Sequence, residues 1–311
     1  MHSPLISLCK DIPFINLGVQ LKLDDNLVGY PYSGSLLHGA LTNALYSVNP
    51  KLCQFLLGEQ DASSPRGYFF SAPFLPKNGL NKGKLFNFSI KLFGKACEYL
   101  AEIVHSLFIL QTKGLGSKSV NFKVHKINLR HQGRDLMLYK SGCKLDLLVP
   151  PATNLADQLF IPFEADSPLW LAQLNIHSPI FLKMKGKLSK HAPPLDNWTL
   201  SVANRLQLLC DNHFTTDYDC KELLCSTKHN KAIYDASKFF IQTRQTNIAD
   251  QAHDLSGLVG QIQYQATSQS LLWLQIGSAL QIGKKANFGQ GNYSLEYALM
   301  SDHDDSVQPV M

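Results

Sequence analysis

The 311-residue sequence has no apolar run approaching the ~18 residues that a membrane-spanning helix requires, which excludes a chain carried through a bilayer on helices. Secretion is not expected either: Ser3-Pro4-Leu5-Ile6-Ser7-Leu8-Cys9-Lys10 has no basic start, long apolar middle or cleavage site. The seven cysteines (Cys9, Cys53, Cys97, Cys143, Cys210, Cys220 and Cys225) are odd in number and scattered, mostly inside apolar runs. That distribution excludes a secreted disulfide framework and points to reduced, buried thiols of a cytoplasmic protein. Zinc spacing is lacking too, because His213, Cys220, Cys225 and His229 are separated by six, four and three residues, which fits no familiar finger. Neither a metal nor a cofactor is expected. Charge of one sign is modest: a net +5 and a pI near 8.7 permit an anionic partner without requiring one.

What is present is a pattern that occurs twice. With 45% hydrophobic residues the chain can bury two cores. Phe14 to Leu23 alternates like a strand, and Leu36, Leu37, Ala40, Leu41, Ala44, Leu45 and Val48 recur at helical spacing up to a stop at Pro50. Strands are predicted at 67–72 and 85–93, a helix over 96–112 closed by Gly114, and a strand over 120–129. The order is β-α-β-β-α-β. After a break at Pro150-Pro151 it begins again, with strands at 171–185, 236–243 and 258–265, a helix capped by Asp196 or Asn197 and another over 268–280, and a closing strand over 293–299. This predicts an α+β protein of two tandem ferredoxin-like (βαββαβ) domains, residues 1–165 and 166–311, each with helices on one sheet face and the other face open to a partner.

Each half ends its second helix in a basic, glycine-rich loop running into a strand: Lys113 to Phe122, with Lys118, and Gly283 to Tyr293. In the second, Lys284, Lys285, Asn287 and Phe288 lie among Gly283, Gly289 and Gly291, supplying charge and a stacking face of the kind single-stranded or looped RNA requires. Clustered glycines also let backbone N–H groups approach phosphates. The competing reading is that the glycines only turn the chain. The loop is not a nucleotide P-loop, because it lacks the Gly-Lys-Ser/Thr ending and follows a helix instead of preceding one. Lys183, Lys185, Lys187 and Lys190 alternate along a strand and its loop, and are further candidates for phosphate contact or for a plain solvated edge. His38 falls at the rim of its helix's apolar stripe, where a histidine reaches solvent and can exchange a proton near neutral pH.

Several of these segments resemble the repeat-RNA-processing endoribonucleases of the RAMP superfamily, the Cas6 family of CRISPR systems. They are Tyr32-Ser33-Gly34-Ser35-Leu36-Leu37-His38-Gly39-Ala40-Leu41, Phe88 to Gly94, Lys113-Gly114-Leu115-Gly116, Ile176 to Lys183, Gly257-Leu258-Val259-Gly260 and above all Ile282 to Tyr293. The resemblance implies an endonuclease that binds CRISPR repeat RNA and cuts it without metal, turning precursor into mature crRNA. The route would be 2′-hydroxyl attack, leaving a 2′,3′-cyclic phosphate and a 5′-hydroxyl. It implies His38 as general acid or base, and other Cas proteins of an effector complex as further partners. Tyr30 and Tyr32, just before the same helix, are candidates to orient the 2′-hydroxyl or stack a base, with Tyr32 ranked below His38; the competing reading is that Gly29-Tyr30-Pro31-Tyr32 is a packed turn. Some relatives only bind guide RNA in such a complex, so a non-catalytic RAMP subunit is the alternative.

Overall fold

The structure, a computed structural model, describes residues 3–29, 31–57, 66–131, 133–145, 153–159, 169–184, 186–214, 219–224, 231–245 and 252–300. In chain order the first half comprises α1 (Pro4–Asp11), β1 (Phe14–Leu23), α2 (Gly34–Val48), α3 (Pro50–Leu57), β2 (Tyr68–Ser71), β3 (Leu85–Phe93), α4 (Leu100–Lys113), β4 (Phe122–His131) and β5 (Arg134–Lys140). The strands form one antiparallel sheet in the order β2-β3-β1-β4-β5. Alternation dictates its two faces: Leu17, Val19, Leu21 and Leu23 of β1 enter a core with Leu36, Leu37, Ala40, Leu41 and Leu45 of α2, while Asn16, Gly18, Gln20 and Lys22 point the other way.

The second half comprises β6 (Trp170–Ile180), the hairpin β7 (Lys183–Met184) and β8 (Lys187–Leu188), α5 (Leu195–His213), β9 (Tyr234–Asp235), β10 (Lys238–Phe240), β11 (Thr243–Gln245), β12 (Ala252–Asp254), β13 (Gly257–Ala266), α6 (Ser268–Leu280) and β14 (Tyr293–Leu299). Its sheet runs β10-β13-β6-β14, the same strand order that β2-β3-β1-β4 makes in the first half. Both halves are ferredoxin-like, and their helices cover one face of each sheet.

Several segments depart from the pattern read in the sequence: the strand read over 171–185 ends at Ile180 ahead of the β7–β8 hairpin, that over 236–243 breaks between β10 and β11, and α5 opens at Leu195, before Asp196 and Asn197. Pro50 does not merely end a helix; it opens α3, where a missing N–H is harmless, and the Asn49 side chain accepts from the N–H groups of Lys51 and Leu52. The N-terminal helix α1 packs Leu5, Leu8 and Cys9 into the second half's core, together with Phe14, Phe69 and Phe93 from the first sheet's open face. Among the described cysteines, all of which are free, Cys143 is exposed, contrary to the expectation of buried thiols. Cys225 and His229 lie outside the described residues. Among the described residues no helix is long and apolar enough to cross a membrane, and no group of three or more His, Cys, Asp or Glu stands together as a metal site.

The halves are joined around the end of α6. Lys91 of β3, only 4% exposed, donates to the Ser278 carbonyl at 3.0 Å, and Arg205 of α5 donates to the Leu280 carbonyl at 2.8 Å while covering the Phe69 ring. Cations suit a helix C-terminus, whose last carbonyls lack partners. Burial, and next the charge of Arg205, push the Lys91 ammonium from its ordinary 10.5 down to about 7. Between those values the folded chain binds fewer protons than the unfolded one, so stability rises with pH across that window. Below pH 7 both states are protonated and the dependence ends. Lys91→Met is expected to remove this slope, at most about 1.4 kcal/mol per pH unit, in urea unfolding at pH 7 and pH 9. Parallel pH dependences in the two proteins would show that Lys91 is solvated.

Candidate RNA-cleavage site

The site is a seam between the start of α2 and the glycine-rich loop of the other half. Tyr32 is fully buried, and its hydroxyl donates to the Phe288 carbonyl at 3.0 Å. Gly34 opens α2 directly against the same carbonyl: a Cβ there would lie 2.1 Å from the Phe288 oxygen and 2.4 Å from the Tyr32 ring. One turn further on, half-buried His38 brings Nδ1 within 2.8 Å of the Asn287 carbonyl and lays its ring 4.1 Å, centroid to centroid, from Phe288.

The acceptor determines the chemistry of the ring. A carbonyl oxygen cannot donate, so Nδ1 carries the proton of this bond and Nε2 is the atom at which a proton comes and goes. Tyr32 plays a different part from the one read for it in the sequence, that of orienting the 2′-hydroxyl or stacking a base. Its hydroxyl is buried and bonded to the protein, and burial drives its pKa far upward, so it clamps the loop and does not reach substrate. Tyr30 lies outside the described residues.

The loop itself answers the question the glycines posed. Gly283, Gly289 and Gly291 all have positive φ, and a Cβ on Gly291 would meet the Ile282 carbonyl at 2.0 Å. The N–H groups of Lys284, Phe288, Gly289, Gln290 and Gly291 donate to the carbonyls of Phe181, Lys285, Ala286, Lys285 and Pro179. These amides are therefore turned inward, and the expected N–H cradle for phosphate is not formed by them. Lys284 is exposed. Lys285 is braced instead: its ammonium donates to the Asp254 carbonyl and sits 5.2 Å from the Phe181 ring centroid, and burial lowers its pKa.

Phe181 also ties in the β7–β8 hairpin, because its carbonyl accepts from Lys284 and its backbone abuts Gly283. Exposed Lys183 and Lys187 thus sit on the hairpin rooted beside the loop, whereas Lys190 turns toward the Phe239 ring at 5.9 Å. Lys185 lies outside the described residues. The first glycine loop is not brought to the seam. Lys113 bonds Ser47 and the Asn43 carbonyl, five to nine residues beyond His38 on α2, or about 7–13 Å along the axis. Exposed Lys118 follows it in the same loop, which closes through reciprocal Leu115–Val120 bonds.

Sequence reading missed a second set of cations. Opposed residues of an antiparallel pair share a face. Lys22 stands opposite Lys123, and Gln20 opposite Lys126, which is opposite Lys140. These lysines gather on the open face of the first sheet. Each falls on the polar side of its own strand, a legible signal, but only the pairing register collects them.

Comparison with known proteins fits this architecture. Residues 174–293 match the family model described as CRISPR-associated endoribonuclease Cas6, and residues 56–150 match one described as an N-terminal domain. No curated protein matches. The fold is similar to that of a Cas6 product complex, with a TM-score of 0.55 and 15% identity over 91% of this chain and 99% of that one. It is also similar to a chain of a partial Cas6-RT-Cas1–Cas2 complex, with a TM-score of 0.62 and 14% identity over 96% of this chain and 48% of that one. The corresponding Cas6-RT-Cas1–Cas2 complex gives the same score and identity, and there the match spans 30% of the longer chain. Over residues 174–293 this chain is thus similar to the CRISPR-associated endoribonuclease Cas6 family, and over nearly its whole length it shares the fold of these Cas6 structures.

Proposed function

We propose that the chain is a metal-independent endoribonuclease that cuts CRISPR repeat RNA, converting precursor to mature crRNA, with His38 as the proton-transfer group. The observation that carries this reading is the clamp on His38, whose Nδ1 is held by the Asn287 carbonyl while Phe288 covers one face of the ring. Cleavage by 2′-hydroxyl attack needs a base for the hydroxyl proton and an acid for the departing 5′ oxygen, and an oriented imidazole serves either need through Nε2. Exposed Lys183 and Lys187 on the β7–β8 hairpin and exposed Lys284 on the glycine-rich loop are the cations proposed to hold the strand's phosphates. Other Cas proteins are further partners on this reading, since Cas6 occurs in the name of a complex with Cas1 and Cas2.

The test is incubation of labelled repeat RNA with the protein in excess EDTA. The expected result is undiminished cleavage with 2′,3′-cyclic phosphate and 5′-hydroxyl termini; abolition by EDTA, or 3′-hydroxyl products, overturns the mechanism. RNA that binds tightly and stays intact selects the non-catalytic reading. Binding itself should weaken with salt, with a log–log slope of about −0.7 per phosphate neutralised on a single strand. Changing Lys183 and Lys187 together to alanine is expected to flatten that slope by about one. An unchanged slope would remove the hairpin from the RNA path.

A further inference from the structure

Two side chains of the glycine-rich loop reach the turn that joins β12 to β13. The Lys285 ammonium donates to the Asp254 carbonyl, and the Gln290 amide donates to the next carbonyl, that of Leu255. We propose that Lys285 and Gln290 are positioning residues: they pin the loop to this turn and so set the Asn287 carbonyl that holds His38, and neither contacts RNA. The proposal rests on the cleavage reading above and gives Lys285 a part other than the RNA contact expected from the sequence.

Three observations carry it. First, the pins bracket the atoms that meet α2. Between them lies one tight turn, Ala286–Phe288, closed by the Phe288 N–H on the Lys285 carbonyl at 2.8 Å and the Gly289 N–H on the Ala286 carbonyl at 3.0 Å. The Gln290 N–H returns to the Lys285 carbonyl at 3.4 Å, which joins the pins to each other. With planar peptides and so few free dihedrals, the Asn287 and Phe288 carbonyls cannot reorient while both ends stay fixed. Those carbonyls are the acceptors for His38 and Tyr32.

Second, each pin carries a cost that its bond explains. Lys285 has φ of +67°, a left-handed conformation that costs a residue with a Cβ about 1–2 kcal/mol and glycine almost nothing. Gln290 is fully buried and its Oε1 has no partner among the described residues, a cost of about 1–3 kcal/mol that an apolar side chain would avoid. Third, the anchor is itself held. Leu255 is fully buried and its N–H donates to the Gln242 carbonyl at 2.7 Å; the Gln242 N–H donates to Ser256 Oγ at 3.1 Å, and the Ser256 N–H to Asp254 Oδ1 at 2.9 Å. A catalytic group keeps its geometry only where its support is locked in this way.

The neighbouring lysine supplies the contrast. Lys284 is exposed, whereas the Lys285 ammonium is taken up by the Asp254 carbonyl and lies 5.2 Å from the Phe181 ring centroid. Adjacent lysines thus have separate tasks, one toward phosphate and one toward the protein.

The test compares Lys284→Met, Lys285→Met and Gln290→Met in the full chain. The readouts are affinity for a repeat RNA blocked by 2′-deoxy substitution, single-turnover cleavage at saturating RNA, and the ¹⁵N signals of the His38 ring without RNA. Lys285→Met and Gln290→Met are expected to slow cleavage at saturating RNA by about 10- to 100-fold, as small misplacements of a reacting group do. Affinity and its salt dependence should stay as in wild type, and the His38 ring should pass from one fixed tautomer toward averaging. Lys284→Met should do the reverse, weakening binding and flattening the salt slope by about 0.7 for one phosphate, with the ring signals of wild type. Lys285→Arg keeps a donor and should restore both the ring signals and most of the rate. Should Gln290→Met fail to fold, half-buried Lys285→Met and its arginine rescue decide the matter. Lys285→Met that flattens the salt slope while the saturated rate and the ring signals stay normal overturns the proposal. So does a loss of stability in both variants with the His38 ring unaltered. If wild type leaves the RNA intact, the cleavage reading falls, and the ring signals, which need no RNA, still decide whether the pins hold His38.

Discussion

Replacing His38 by alanine is expected to slow single-turnover cleavage of repeat RNA by about 10²- to 10⁴-fold, the usual contribution of one positioned acid–base group. RNA affinity should change little, because the cations proposed to hold phosphate lie on the β7–β8 hairpin and at Lys284, not on α2. The fold should also tolerate the change. His38 sits at the rim of the buried stripe Leu36, Leu37, Ala40, Leu41, and its contacts at the seam include the Nδ1 bond to the Asn287 carbonyl and the Phe288 ring. His38→Gln is the informative companion. Its amide N–H can still donate to the Asn287 carbonyl, but glutamine has no group that titrates near neutral pH, so stability should recover and cleavage should not. Cleavage by either variant at the wild-type rate removes His38 from the chemistry.

The second large effect is expected at Gly34. A methyl group there would stand 2.1 Å from the Phe288 carbonyl, which cannot yield without withdrawing the loop that also carries Asn287. Gly34→Ala is therefore expected to destabilise the protein by about 2–4 kcal/mol, as overpacking and loss of buried hydrogen bonds do. Cleavage should fall by about 10- to 100-fold although His38 is still present, because a misplaced group loses its orientation. Gly39→Ala is the control. It lies on the same helix, a Cβ there meets nothing within 4 Å, and helix propensity favours alanine over glycine by about 1 kcal/mol. Denaturant midpoints and cleavage rates for the two variants separate the seam from a general effect on α2. Equal behaviour would mean that the loop does not brace the helix.

Much of the fold is legible along the chain because its signals are local. The alternation Phe14–Leu23 and the stripe of α2 each arise within one element, and β1, β3, α6 and β14 lie over the residues their patterns indicate. The short helices α1 and α3 hold too few turns to show a stripe, and Pro50 reads equally as an end or a beginning. The candidate site was legible only in its parts. His38 and Phe288 stood out as residue types in suggestive loops and helices, but they are 250 positions apart, and only docking of the halves reveals that one positions the other. Tyr32 looked like a ligand-facing phenol for the same reason: nothing nearby in sequence shows that the Phe288 carbonyl covers its hydroxyl. The glycines were ambiguous because a phosphate cradle and a tight turn use the same residues, and the inward N–H bonds of residues 288–291 select the turn.

The direct measurement is ¹⁵N NMR of the histidine rings, with the His38 signals assigned by their loss in His38→Ala, recorded above the pH at which the ring becomes neutral. The expected result is a protonated, pyrrole-like Nδ1 held by the Asn287 carbonyl and an unprotonated, pyridine-like Nε2. A neutral ring protonated at Nε2, or rapid averaging of the two tautomers, would mean that the glycine-rich loop does not hold His38 for proton transfer.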